Sequence, residues 1–256
     1  MRYYDQSNIS YNFEVPKNIK KLSNVQLVWQ LATPQGRVMA QGQINWKMNK
    51  TNAVIPLKFD KLEKGISYKC VLSIKFNGKT IKKQAIEIYS KNIFSDINRK
   101  LKEMKAATIL PENQTARLNT LGAGLPTKSL NDFGDSANKL VFCEAKKYCD
   151  NVEMLSTLMD RKMVLVMFAP ADDSEIYLPQ KNFQKFLLIS SKKAKTTGAL
   201  GVICNKEKIS VRCSGGPGGL VVLKYKNGKI IIVSDSVYQA LDKKPEAAII
   251  LKNNLL

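Results

Sequence analysis

Residues 213–235 read CSGGPGGLVVLKYKNGKIIIVSD, with four glycines and a proline packed into positions 215–219 ahead of an abruptly apolar run. A glycine cluster cradles phosphate when a helix comes directly after it, because the anion sits on the free amides of that helix's first turn. The run from Leu220 onward is instead β-branched, apolar and interrupted by Asn227-Gly228, a strong two-residue hairpin signal. The stretch therefore predicts a bend leading into a hairpin of buried strands. A phosphate loop is not expected.

On both sides of that hairpin the hydrophobic period is that of an α/β domain. KPEAAIILKNNLL (244–256) has Pro245 at a helix start and an apolar stripe suited to docking on a sheet. Upstream, AATIL (106–110) reads as a buried strand, and Pro111-Glu112 opens a helix through Leu118 and Leu121 that stops at Gly122. GLPTKSL (124–130) and KLVFCEA (139–145) read as second and third strands. Asp150 and Glu153 resemble a helix N-cap and its partner ahead of Val152, Leu155 and Leu158 or Met159. MVLVMFAP (163–170) is continuously apolar, as a strand covered on both faces must be. Strands alternating with helices imply right-handed crossovers and a mostly parallel sheet. The expectation is a flavodoxin-like three-layer α/β domain over residues 95–256.

The first third of the chain has the other period. VQLVWQL (25–31) sets Val25, Leu27, Trp29 and Leu31 on one face, and TPQG (33–36) is a turn. YKCVLSIKF (68–76) alternates most cleanly, with Tyr68, Cys70, Leu72, Ile74 and Phe76 in phase, before Asn77-Gly78 turns the chain into KTIKKQAIEIY. Short strands with turns at about ten-residue spacing predict an immunoglobulin-like β-sandwich over residues 1–94.

Composition narrows the function. The chain holds 41 Lys and Arg against 21 Asp and Glu, a net charge of +20, of which sixteen basic and five acidic residues fall before residue 96. The excess is spread along the chain and only six of the basic residues are arginine, which argues against sequence-specific nucleic-acid recognition. Attraction to an anionic surface, polysaccharide or protein remains open. Histidine is absent, which excludes Ser-His-Asp and Cys-His catalysis and two-histidine zinc sites within this chain. No apolar run is long enough for a transmembrane helix, and the N-terminus lacks a secretory pattern. The protein is then either extracytoplasmic with its signal removed or cytoplasmic.

From Ala106 onward the chain resembles a class I glutamine amidotransferase-like domain, the α/β module that also occurs as an accessory domain in β-galactosidases and related glycoside hydrolases. The resemblance rests on AATILPENQTARLNTLG, on KLVFCEA and MVLVMFAP, and on the closing GKIIIVSDSVYQAL with PEAAIILKNNLL. An immunoglobulin-like domain in front of it is similar to accessory regions of multidomain carbohydrate-active proteins. Catalytic members of the family carry a cysteine in a glycine-flanked elbow and a histidine near the C-terminus. Here Cys143 stands between Phe142 and Glu144 and no histidine exists, so the resemblance implies a degenerate, non-catalytic domain.

Ligands of parallel sheets collect at the strands' carboxyl ends, which should present Asp132, Asp135, Glu144, Asp172, Asp173 and Asp235 with Ser236. Glu144, Asp172, Asp173 and Asp235 are the ligand-binding candidates, and two such carboxylates could act as acid and base on a glycoside. The same residue types also cap helices and form turns. Trp46, among polar neighbours, is a candidate platform for a sugar ring, whereas Trp29 reads as core. No cysteine pair has C-x-x-C spacing, so no metal or cofactor site is expected. Cys204 with Cys213, and Cys143 with Cys149, are the pairs placed for a disulfide. The functional expectation is a non-catalytic, carbohydrate-associated accessory protein, with a carboxylate-dependent glycoside hydrolase as the alternative.

Overall fold

The computed structural model describes residues 1–22, 24–47, 51–62, 67–133, 137–151, 153, 162–169, 175–179, 183–190, 199–204, 208–214, 219–225 and 228–255. Within these, β-structure predominates over helix, and the chain divides into two compact units, Met1–Lys91 and Asn92–Leu256.

The first unit is a β-sandwich. Its strands are β1 (Arg2–Tyr4), β2 (Asn8–Glu14), β3 (Asn24–Ala32), β4 (Val38–Lys47), β5 (Asn52–Lys58), β6 (Ser67–Phe76) and β7 (Lys79–Tyr89). One sheet has the order β1-β7-β6-β3-β4 and the other pairs β2 with β5. Sequential strands thus divide between two sheets, as in immunoglobulin-like sandwiches. Period-2 alternation turns Tyr11, Phe13, Ile55 and Leu57 of the small sheet toward Leu27, Leu31, Leu72, Ile74 and Ile88 of the large one. Pro56 is tolerated within β5 because, among the described residues, that strand pairs on one side alone. Buried Asp5 ties the unit together, its carboxylate accepting from the amides of Leu62 at 2.9 Å and Lys91 at 2.7 Å. A single helical turn, α1 (Lys17–Lys20), and the strands β1 and β2 precede the region whose pattern announced the sandwich.

Trp46 requires a correction. It lies opposite Val25 on β4 with 2% of its surface exposed, inside the sandwich core. Its polar neighbours Asn45 and Lys47 point to the other face, which is what alternation along a strand demands. It therefore offers no platform to a sugar. Trp29 is core as expected, and its indole lies against Gly42, where an added Cβ would come within 2.9 Å of the ring.

The second unit is built on a six-stranded mixed sheet. Its strands are β8 (Ala107–Thr108), β9 (Leu140–Glu144), β10 (Val164–Phe168), β12 (Phe183–Ser190), β15 (Gly219–Tyr225) and β16 (Gly228–Val233), in the order β12-β15-β16-β10-β9-β8. β8, β9, β10 and β16 run parallel, whereas β15 and β12 add antiparallel. The central strands β9, β10 and β16 are buried on both faces. Val141, Cys143, Leu165, Met167 and Ile232 form one core, and Leu140, Phe142, Val166, Phe168 and Ile231 lie on the alternate positions. The helices are α2 (Asn98–Glu103), α3 (Glu112–Thr120), α4 (Ala145–Asp150), α5 (Asp235–Ala240) and α6 (Pro245–Leu255). Gly122 ends the α3 region at φ +85°, a left-handed conformation that favours glycine.

Several expectations change here. The parallel strands stand in chain order, while the flavodoxin-like order 2-1-3-4-5 reverses direction after its first strands. GLPTKSL is no strand: it touches β8 through one bridge, Thr108 to Thr127, and continues into a 3-10 turn at Leu130–Phe133. Pro126, without an N–H, limits its pairing. Asp150 is the last residue of α4, which begins directly after β9. The expected helix through residues 152–159 lies largely outside the described residues, as do Gly215–Gly218 and Asn227.

Between β10 and β15 the chain also forms a three-stranded sheet of β11 (Glu175–Pro179), β13 (Ala199–Cys204) and β14 (Lys208–Ser214), in the order β11-β14-β13. The hairpin expected around Cys204 and Cys213 exists, but Cys204 stands opposite Ile209 and Cys213 opposite Leu200. Four residues of strand separate the two, about 13 Å, beyond the roughly 7 Å that a disulfide spans. Cys70 and Cys143 are buried free thiols, and the side chain of Cys149 lies outside the described set.

Candidate functional site

Three parallel strands end together at one edge of the mixed sheet. β9 ends in Glu144, β10 in Phe168, and β16 in Val233, after which Ser234 caps α5 with its side chain. A cavity of about 270 Å³ opens there, lined by Gln114, Glu144, Lys146, Phe168, Ala169, Asp235, Tyr238 and Gln239. Two of the sequence candidates, Glu144 and Asp235, thus meet in one pocket although 91 residues separate them.

Local chemistry holds each group in place. Gln114 on α3 donates from Nε2 to Glu144 Oε1 at 2.7 Å, and Gln239 donates to Asp235 Oδ1 at 3.2 Å, one helical turn along α5. Gln114 Oε1 is buried and has no hydrogen-bond partner among the described residues. The floor is aromatic: Phe168 packs on Tyr238 at 4.6 Å between ring centroids and on Phe142 at 6.4 Å. Arg117, one turn after Gln114, fastens α3 to α5 by donating to Gln239 Oε1 at 3.1 Å and to the Tyr238 carbonyl at 3.4 Å. Its guanidinium also lies 4.9 Å from the Tyr238 ring centroid, a cation–π distance. Burial pushes the Tyr238 phenol above its ordinary value, with the Arg117 charge acting in the opposite direction.

The pocket can offer fixed carboxylate acceptors, amide groups and an aromatic wall. Such sites orient small polar ligands through a few convergent groups against apolar surface. Cys143 is not part of it. That residue lies wholly buried on the opposite face of β9, in the other core, and burial raises its thiol far above the ordinary range, with Glu144 adding to the effect. The described residues contain no cluster of His, Cys, Asp and Glu suited to a metal ion.

The other candidates do not join the pocket. Asp132 closes a surface turn, accepting from the Ser129 hydroxyl at 2.7 Å and amide at 2.9 Å, and these bonds lower its carboxyl below the usual value. Ser236 shares a hydroxyl contact with Ser234 at 3.2 Å. Asp135, Asp172 and Asp173 lie outside the described residues. Sequence reasoning passed over Gln114, Arg117, Tyr238 and Gln239. The i, i+3 spacing of Gln114 and Arg117, on a helix just after a strand end, was their available signal.

No protein-family model matches the chain, and no curated protein matches it. Solved structures overlap it slightly. An immunoglobulin-like protein from Pseudomonas aeruginosa shares 8% identity over 34% of this chain and 76% of its own, with a TM-score of 0.23. A glycosyl hydrolase family 2 member from Bacteroides cellulosilyticus shares 10% identity over 64% of this chain, with a TM-score of 0.25, and a Parabacteroides merdae β-glucuronidase shares 7% over 64%, with a TM-score of 0.23. The chain spans about a third of the length of those two hydrolases. Overlaps this slight assign no family, and no match supports the amidotransferase resemblance. Among the described residues, no helix is long and apolar enough to cross a membrane.

Proposed function

We propose that this chain is a non-catalytic accessory module that holds a small polyhydroxylated ligand, of carbohydrate type, at the carboxyl edge of its mixed sheet. The observation that carries this reading is the convergence of Glu144, Asp235, Gln114 and Gln239 above the Phe168–Tyr238 floor. Hydroxyl groups both donate and accept, so they pair with carboxylates and amides together, while the apolar face of a sugar ring rests on an aromatic wall. Each carboxylate is engaged by a glutamine N–H, an arrangement that fixes it as an acceptor. In this reading the second unit is a three-layer α/β scaffold, amidotransferase-like in its rhythm alone. The setting is an extracytoplasmic, carbohydrate-associated protein, with the basic surface favouring an anionic partner such as a polysaccharide or an acidic protein.

The presence of two carboxylates in one pocket supports a second reading, a glycoside hydrolase using Glu144 and Asp235. Titration calorimetry with a panel of neutral and acidic monosaccharides tests the binding reading. Saturable binding that weakens about tenfold or more in Gln114→Ala, which removes one amide hydrogen bond to the site, supports it, and no binding by any sugar counts against it.

A further inference from the structure

We propose a second binding site in the sandwich unit: the cleft at the free edge of β4 takes an extended acidic segment of a partner protein, which adds to the sheet as a sixth strand. β4 pairs with β3 on one side and, among the described residues, with no strand on the other. From Val38 to Trp46 it carries no charged residue and no proline. Free edges of this kind are templates for strand addition, and proteins ordinarily block them with charge or proline.

The edge leads into a cavity of about 410 Å³, because a two-stranded sheet cannot cover a five-stranded one. Leu31, Phe59 and Ile88 belong to its lining, and Met39, the extra residue where the β3–β4 register shifts, lies at its mouth. Val38 and Met39 are each 43% exposed, an apolar lip that a partner side chain would cover. Charge selects the occupant. Among the described residues, Arg37, Lys58 and Lys61 line the cleft with Asp60 as the one acid, and the unit bears sixteen basic residues against five acidic. A second copy of this chain would bring the same positive charge to the interface, whereas an acidic strand with an apolar side chain complements both rim and floor.

Fluorescence anisotropy with the full chain and a fluorescein-labelled ten-residue peptide alternating glutamate with valine and leucine tests the site. Expected are saturable binding and loss of about tenfold or more in affinity for Arg37→Glu/Lys61→Glu, as for reversal of rim charges facing an acidic partner. Lys82→Glu/Lys83→Glu, on exposed positions of β7 roughly 20 Å along the strand from Ile88, should bind as the wild type does. Methylating alternate peptide nitrogens should abolish binding, since it removes the donors that pair with β4. No binding to the wild type, equal weakening by the two double variants, or undiminished binding of the methylated peptide would each overturn the proposal. So would binding of a sulfated oligosaccharide at this cleft in the peptide's place.

Discussion

Gly42 shows how closely single side chains fix this structure. Any Cβ there meets the Trp29 indole at 2.9 Å, so Gly42→Ala must displace the ring or bend β4. Such overpacking costs about 1–3 kcal/mol, to be read as a lower urea midpoint with the slope unchanged. Cys70 yields a pH prediction. Its buried thiol donates to the Ile86 carbonyl at 3.6 Å, and burial pushes its pKa up to about 11. A raised folded pKa keeps its stabilising contribution below the unfolded thiol's value and loses it as pH rises through the folded one. Stability of the wild type relative to Cys70→Ala should therefore fall between about pH 9 and 11, by about 1–2 kcal/mol once solvent screening is discounted. A parallel course of the two urea-midpoint curves across that range would contradict it. Both residues were legible in different degrees: the alternation of YKCVLSIKF marks Cys70 as core, but nothing in the sequence says that Gly42 lies under an indole. Trp46 was misread because Asn45 and Lys47 were taken as its surroundings, when a strand sends its immediate neighbours to the opposite face.

Ser234 performs two tasks in placing α5 over the pocket. Its hydroxyl oxygen accepts from the Val237 amide at 3.4 Å and from the Gly219 amide at 3.1 Å, so it caps α5 and ties β15 to the end of β16. Ser234→Ala should cost about 1–2 kcal/mol in urea unfolding and weaken binding at the pocket, because Asp235, Tyr238 and Gln239 all ride on that helix. The hairpin of β15 and β16 and the closing helices were readable from the chain, since their periods are strong and their caps local. β1 was not. Its three residues gain their structure by pairing in parallel with β7, more than eighty residues away, and no local pattern encodes such a partner. β2, with Ile9, Tyr11 and Phe13 in alternation, carried a signal that went unused. GLPTKSL had strand-like composition, but sheet membership is settled by available donors and partners, and Pro126 removes one of the donors.

The division into a sandwich and an α/β unit stems from the change of hydrophobic period after Tyr89. The strand order within each unit does not, because order depends on pairings far apart in sequence. For the same reason the sequence could name Glu144 and Asp235 as strand-end residues but could not place them in one cavity with Gln114. In the proposed function this cavity binds a polar ligand and performs no chemistry on it. The most direct test incubates the wild type and Glu144→Gln with a set of aryl glycosides, following chromophore release, and titrates the corresponding free sugars into the same preparations by calorimetry. Expected are saturable sugar binding by the wild type, weakened about tenfold or more in Glu144→Gln, and no release of chromophore by either protein. Chromophore release by the wild type that disappears in Glu144→Gln would contradict it and make Glu144 a catalytic carboxylate.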